Sequence, residues 1–403
     1  AAAPLITRLY GPEAFGLQGI FLAVVALLST VTALGYPIAI VLPRDDGDAM
    51  GLVVLSIVIA IAVSLLTTVL LFFFGAPLLE LLNAGAISGF MYLIPLAMLL
   101  TALGLVMGQW LIRHKAFTVT SSFSVFNATL IAVAKVIGGF TFPSAGMLIG
   151  INAAGGLVTT AATYVGWQRV RKRQPETTRP DIPVRKLITL ARRHADFPLL
   201  RTPQNLINAA SQGLPVLLLA SYFGAGAAGQ YALAIAVLAL PANLIGGSVM
   251  SVFYPKVNEA IHSGENIRRL IIDATKGMAV IGFLPILLIC LAGPPIFEFV
   301  FGREWGTSGA YAQWLAFWIF LQFVNKPAVA AIAPLRLQHG LLIYELFSTG
   351  AKLLALWLGI ALFASDIVAV ALFSLAGIAA YIWLILWVIR NSTEERVAAL
   401  TPV

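Results

Sequence analysis

The sequence predicts an all-α, polytopic membrane protein. About 12 transmembrane helices are expected, the first one truncated, in two pseudo-symmetric six-helix bundles. Three observations point there. The 403 residues are 60% hydrophobic and 10% charged, with a mean hydropathy of +0.94; soluble domains of this size do not reach that composition. Apolar runs long enough to cross a bilayer follow one another along the chain. The two halves also carry matching joints.

In chain order, the tail of a first helix occupies 1–10. Full spans follow at about 14–42, 50–74, 88–112, 118–140, 143–167, 197–223, 228–253, 270–293, 308–331, 341–363 and 366–390. Pro, Gly and charge mark the joints, as at Pro43-Arg44-Asp45-Asp46-Gly47 and Gly293-Pro294-Pro295. The chain opens AAAPLITRLYGPEAFG, with no Met and no basic leader region, and so reads as truncated ahead of residue 1. The expected organisation is a bundle at 1–167, a basic linker at 168–195, a second bundle at 196–390 and a tail at 391–403.

Basic residues orient these spans. Of 25 Lys and Arg, 20 fall in loops on one side, Arg8 and Arg303 fall on the other, and Lys135, Arg201 and Lys352 lie within spans. Basic loops stay cytoplasmic, which places the long central loop and the C-terminus there. The net charge of +8 then reflects loops facing anionic headgroups, and no nucleic-acid partner is expected. Within the linker, Leu187, Ile188 and Leu190 stand among basic residues. Two readings stand level: an amphipathic helix on the headgroups, or a solvated, positively charged linker.

The repeat is legible at the joints. Leu5–Gly16 (LITRLYGPEAFG) aligns without a gap on Leu218–Gly229 (LLASYFGAGAAG) at an offset of 213, matching Gly11 with Gly224 and Gly16 with Gly229. Later, Ala76–Leu82 (APLLELL) parallels Pro294–Val300 (PPIFEFV), pairing Pro77 with Pro295 and Glu80 with Glu298. An even number of helices per half gives the halves the same orientation, related by an axis along the membrane normal.

No Walker A, GxSxG or HExxH pattern is present, and the single cysteine, Cys290, allows no internal disulfide or metal cluster. The expectation is a protein that is not an enzyme and uses no cofactor or metal. The information lies in polar residues inside spans. Arg201, Asn205, Asn208 and Gln212 recur at steps of four, three and four. At about 100° per residue they share an arc of roughly 60° on one helix face. Such a stripe is costly in lipid and should face a watery cavity; the plainer alternative is that Arg201 snorkels to the interface. Lys135 stands mid-span with Asn127 two turns earlier. Glu345, Thr349 and Lys352 share a face, and Arg8 ends the first helix. Arg201, Lys135, Arg8 and Lys352 make the candidate cavity cationic, with Asn205, Asn208 and Gln212 as hydrogen-bonding partners. Each cation also has a local reading as a snorkelling or paired residue. Glu345 is the one mid-span acid suited to proton coupling. Guanidinium and ammonium groups favour an anionic, phosphate-bearing cargo.

RLYGPEAFG, the run from Phe197 to Pro241, and FVFGREWGTSGAYAQWL resemble the polysaccharide-transport (O-antigen and exopolysaccharide) flippases of the multidrug/oligosaccharidyl-lipid/polysaccharide exporter superfamily. The resemblance covers essentially the whole chain. It implies a V-shaped transporter in the bacterial inner membrane, moving undecaprenyl-diphosphate-linked oligosaccharide outward by alternating access for O-antigen, capsule or exopolysaccharide synthesis. Arg8 matches the family's basic residue at the first joint, and Arg201 falls in its polar seventh helix. Expected partners are the lipid-linked oligosaccharide, membrane lipids, and the polysaccharide polymerase with its chain-length machinery. Competing readings are a cation-coupled multidrug exporter, which calls for cavity acids, and a membrane-embedded glycan polymerase, which calls for large outer loops.

Overall fold

The computed structural model describes residues 2–81, 85–172, 183–263, 265–335 and 337–392. Four basic residues counted in orienting the spans, Arg173, Arg179, Arg336 and Arg396, lie outside them. Among the described residues there are helices and turns but no strands: α1 (Ala3–Thr32), α2 (Tyr36–Ala39), α3 (Asp46–Leu81), α4 (Leu93–Arg113), α5 (Phe117–Thr141), α6 (Ala145–Lys172), α7 (Val184–Arg193), α8 (Thr202–Ser263), α9 (Ile267–Phe301), α10 (Gly306–Val324), α11 (Lys326–Ile332), α12 (Gln338–Phe363) and α13 (Asp366–Arg390).

Length and apolarity pick out eight described helices able to cross a membrane, or nine with the bent α10–α11 pair. The chain is a multi-pass membrane protein. Two of the described helices each carry more than one predicted span. α8 runs from Thr202 to Ser263 and carries the two predicted spans 197–223 and 228–253, which meet at a backbone break at Gly224. α1 likewise merges the tail at 1–10 with the following span. α5 runs 25 residues, Phe117–Thr141, the length of a full span. The outer faces are apolar where a soluble helix would be charged. Phe72, Phe73 and Phe74 are 64–70% exposed, and Phe299 is 83% exposed. Lipid supplies the missing partner for such surfaces.

The two merged helices break at matched positions. Gly11 has φ 66°, ψ 171°, and Gly224 has φ 86°, ψ 172°. A side chain strongly disfavours this region of φ/ψ, so glycine is what lets each helix turn there. The 213-residue repeat is thus present in the backbone. Five residues on, Gly16 and Gly229 face each other. A Cβ on Gly16 would overlap the Ala225 carbonyl, and one on Gly229 would overlap the Pro12 carbonyl. Bare backbone is what lets the helix segments after the two breaks cross this closely.

Contacts divide the chain into two compact units, Ala1–Gly229 and Gln230–Val403. α7 and the first segment of α8 belong to the first of these units. In that unit, α4 packs against α1, α3 and α6, and α5 pairs with α6. Its cytoplasm-expected end holds a core of Tyr36, Leu52, Trp110, Leu190 and Phe197. Leu190 comes from α7, which is a docked amphipathic helix. Lys186 Nζ lies 2.8 Å from Asp48, and the Tyr36 hydroxyl donates to the Ala191 carbonyl at 3.2 Å. Val184 and Ile188, on the other side of α7, stay 70% and 50% exposed.

In the second unit, α9 and α10 pack tightly through Gly293 and Gly309, where either added Cβ would meet the opposite backbone. Asn266 caps α9 by accepting from the Arg269 amide at 2.9 Å, and Ser365 caps α13. Gln230 reaches α10, where its Oε1 accepts from the Ser308 amide at 2.9 Å.

Candidate functional site

The polar stripe begins on the last residue of a π-helical turn, Phe197–Arg201, and continues along α8. Arg201 is exposed, and its Nη1 donates to Gln204 Oε1 at 3.4 Å. Asn208 and Gln212 are exposed and bonded to each other, Gln212 Nε2 donating to Asn208 Oδ1 at 2.7 Å. Asn205 is half-buried and lines a cavity of about 550 Å³ inside the first unit. α1, α2 and α4 supply the other walls, including Ser29, Thr30, Gly35 and Thr101. Gly35, at φ 72°, brings its backbone close to the Thr202 hydroxyl and the Phe197 carbonyl.

A second cavity of about 500 Å³ adjoins the first, sharing Leu22, Val25, Thr101 and Leu105 as a wall. It lies between α1, α4 and α6. Its polar lining is Thr101, Asn152, Thr159, Thr160 and Thr163. Both cavities fall in the size range of small-molecule sites. The spacing arguments missed these threonines because none is charged. One signal was available: α6 is the least apolar of the eight candidate spans, through INAAGGLVTTAAT.

The predicted cations part company. Lys135 is half-buried on α5 in the first unit, and its carbonyl accepts from the Tyr10 hydroxyl at 2.9 Å, tying α5 to α1 ahead of the Gly11 break. Its neighbour on that helix, Asn127, donates to Thr159 Oγ1 at 2.7 Å and so touches the lining of the second cavity. Arg8 is exposed on α1. Lys352 belongs to the second unit and is only 6% exposed. Its ammonium lies 5.5 Å from the Trp318 ring centre and 5.9 Å from that of Phe373, a cation–π site. Glu345, two turns earlier, acts on it electrostatically. Lys352 is therefore held by its own bundle. The first unit brings Asn205 together with the two cavities, and the uncovered part of the stripe with Arg201.

A family model described as "Polysaccharide biosynthesis protein" matches residues 5–310. The succinoglycan biosynthesis transport protein ExoT of Rhizobium meliloti (strain 1021) is 24% identical over 307 residues, 76% of this chain. The chain spans 59% of that relative's length. An inward-facing multidrug resistance MATE family transporter superposes with a TM-score of 0.75 at 15% identity, covering 99% of this chain and 94% of that one. The lipid II flippase MurJ, in an inward closed conformation, gives 0.74 at 11% identity, with 97% and 86% covered. At these identities the two structures speak to fold.

Proposed function

The chain belongs to the polysaccharide biosynthesis protein family, and from that premise we propose that it is a flippase for lipid-linked oligosaccharide in the bacterial inner membrane. The cargo is an oligosaccharide on undecaprenyl diphosphate, carried outward by alternating access. Support comes from the family, from a relative named for succinoglycan transport, and from a fold shared with a lipid II flippase.

The observation that carries the reading is the uncovered stripe on α8. Four polar side chains stand on one face of an apolar helix, headed by a guanidinium. Left in hydrocarbon they would be expensive; opposite a diphosphate and sugar hydroxyls they are matched. Arg201 and Lys135 neutralise the diphosphate, with Arg8 as a further cation. Asn205, Asn208 and Gln212 supply hydrogen bonds, and Glu345 is the group for proton coupling. A cation-coupled drug exporter of the same fold would instead need carboxylates opposite its substrate.

Complementation of surface polysaccharide in a strain lacking the gene tests this. Arg201→Ala and Lys135→Gln should each cut surface polysaccharide at least about tenfold, the scale of 1.4 kcal/mol in substrate stabilisation. If both variants reach the membrane in normal amounts and restore full polysaccharide, the assignment is wrong.

A further inference from the structure

The cleft between α1, α4 and α6 carries a chemistry that differs from the α8 stripe. None of its described lining side chains is charged. Its threonines have spent their donors: Thr101 Oγ1 donates to the Ala97 carbonyl at 2.8 Å, Thr160 to Gly156 at 2.9 Å, and Thr163 to Thr159 at 2.7 Å. Each hydroxyl oxygen keeps acceptor capacity. Asn152 Nδ2 is the complement, a buried donor with no partner. Behind Thr159, Asn127 Oδ1 is a buried acceptor, also unpartnered. Leaving such groups empty costs about 1–3 kcal/mol each, so they are matched to a ligand or water that both donates and accepts.

The floor is built to admit bulk. Gly104 and Gly108, one turn apart on α4, and Gly156 on α6 all line the cleft. A Cβ at Gly108 would meet nothing within 4 Å, one at Gly104 only Thr160 Oγ1 at 4.0 Å, and one at Gly156 only Leu100 Cδ1 at 3.8 Å. Glycine here is not needed for helix packing, unlike Gly16 or Gly229. It leaves open volume, and helix interiors give up about 1 kcal/mol per glycine to keep it. The apolar wall, Phe21 and Leu22, faces this polar side. Polar hydroxyl-matching groups opposite an apolar wall suit the two kinds of surface on a sugar ring.

We propose that this cleft is a neutral glycan subsite. It binds the hydroxyls of one or two sugar residues of the cargo through Asn152 and the threonine oxygens, while the diphosphate is handled elsewhere by cations. The inference rests on the transport reading for the nature of the cargo, and it divides recognition into a charged part and an uncharged part.

The test uses the full chain in detergent and, as probe, the neutral oligosaccharide freed of lipid and phosphate from the host's own lipid-linked pool. Binding is followed by calorimetry. Gly104→Leu sets its Cβ in open space, projects an apolar side chain toward the cleft and gains helix propensity. Asn152→Leu removes the free donor. Both should weaken binding of the neutral oligosaccharide at least about tenfold. Gly350→Leu, on α12 where an added Cβ also meets nothing, controls for the substitution type and should bind as wild type does. Equal binding by wild type and Gly104→Leu, or no binding by wild type, overturns the subsite. Equal loss in Gly350→Leu overturns it too. Restoration of surface polysaccharide by the unaltered gene tests the transport reading separately, so the two can fail independently.

Discussion

The two units solve the same problem, a lysine within an apolar bundle, in opposite ways. On α5 of the first unit, Lys135 is half-buried, and its helix touches a cavity lined by threonine and asparagine. On α12 of the second, Lys352 is 6% exposed and capped by two aromatic rings. The cavities follow suit. The first unit holds two of about 500 and 550 Å³, mainly apolar with a few Thr, Ser and Asn side chains among the lining, whereas a cavity of the second is about 80 Å³ and lined by Leu, Ile, Pro, Ala, Gly and Phe. A repeat therefore conserves backbone breaks and crossings while its side chains diverge. On the proposed reading the first unit supplies the binding surface, whereas Lys352 in the second sits in a core.

The largest effect should come from the crossing that expresses the repeat. Gly16→Leu or Gly229→Leu drives a side chain into a carbonyl of the neighbouring helix segment. Backbone cannot step aside as a side chain can, so the cost should reach about 3 kcal/mol or more. Little monodisperse protein should survive size-exclusion after solubilisation. Gly104→Leu, with open space around it, should elute like wild type. If all three variants behave alike, the two kinds of glycine are not distinct.

Next in size is the contrast between the lysines. Lys352→Ala removes a buried side chain and its cation–π contacts, worth about 2–4 kcal/mol. Lys135→Ala, at a half-exposed site, should cost less than about 1 kcal/mol. Thermal unfolding in detergent reads the difference. A larger loss at Lys135 would reverse the assignment of binding surface and core.

Much of this was legible in the sequence. The spans, the joints at Gly11 and Gly224 and the register of 213 follow from hydropathy and from glycine's access to positive φ, and each is visible as a local pattern. The stripe on α8 was legible as periodicity. What stayed hidden depends on neighbours. Lys352 and Lys135 look alike in a linear reading, because the rings of Trp318 and Phe373 come from α10 and α13. The threonine cleft was missed because uncharged residues carry no cost signal in a span. The docking of α7 through Leu190 was left open between two readings because it is a tertiary fact.

The smallest effect concerns that docking. The first unit gathers acids at the start of α3 against bases from α4 and α7. Arg113 donates to Asp46 Oδ1 at 2.7 and 2.9 Å and to the Pro43 carbonyl at 2.6 Å, while Lys186 and Arg193 reach Asp48 at 2.8 and 3.7 Å. In the second unit, Arg269 and Asp273 form an i,i+4 pair with side chains 83% and 62% exposed. Lys186 and Asp48 are more sheltered, at 32% and 26%. Their pair should be worth about 0.5–1 kcal/mol, against about 0.3 for the exposed helical pair. Because Leu190 also anchors α7, Lys186→Ala should loosen the helix without releasing it. Amide hydrogen exchange over Val184–Arg193 should quicken a few-fold, and salt should narrow the gap between wild type and variant, since ions screen the partly exposed pair. Unchanged exchange in low salt would mean that Leu190 and the Tyr36 hydrogen bond hold α7 alone.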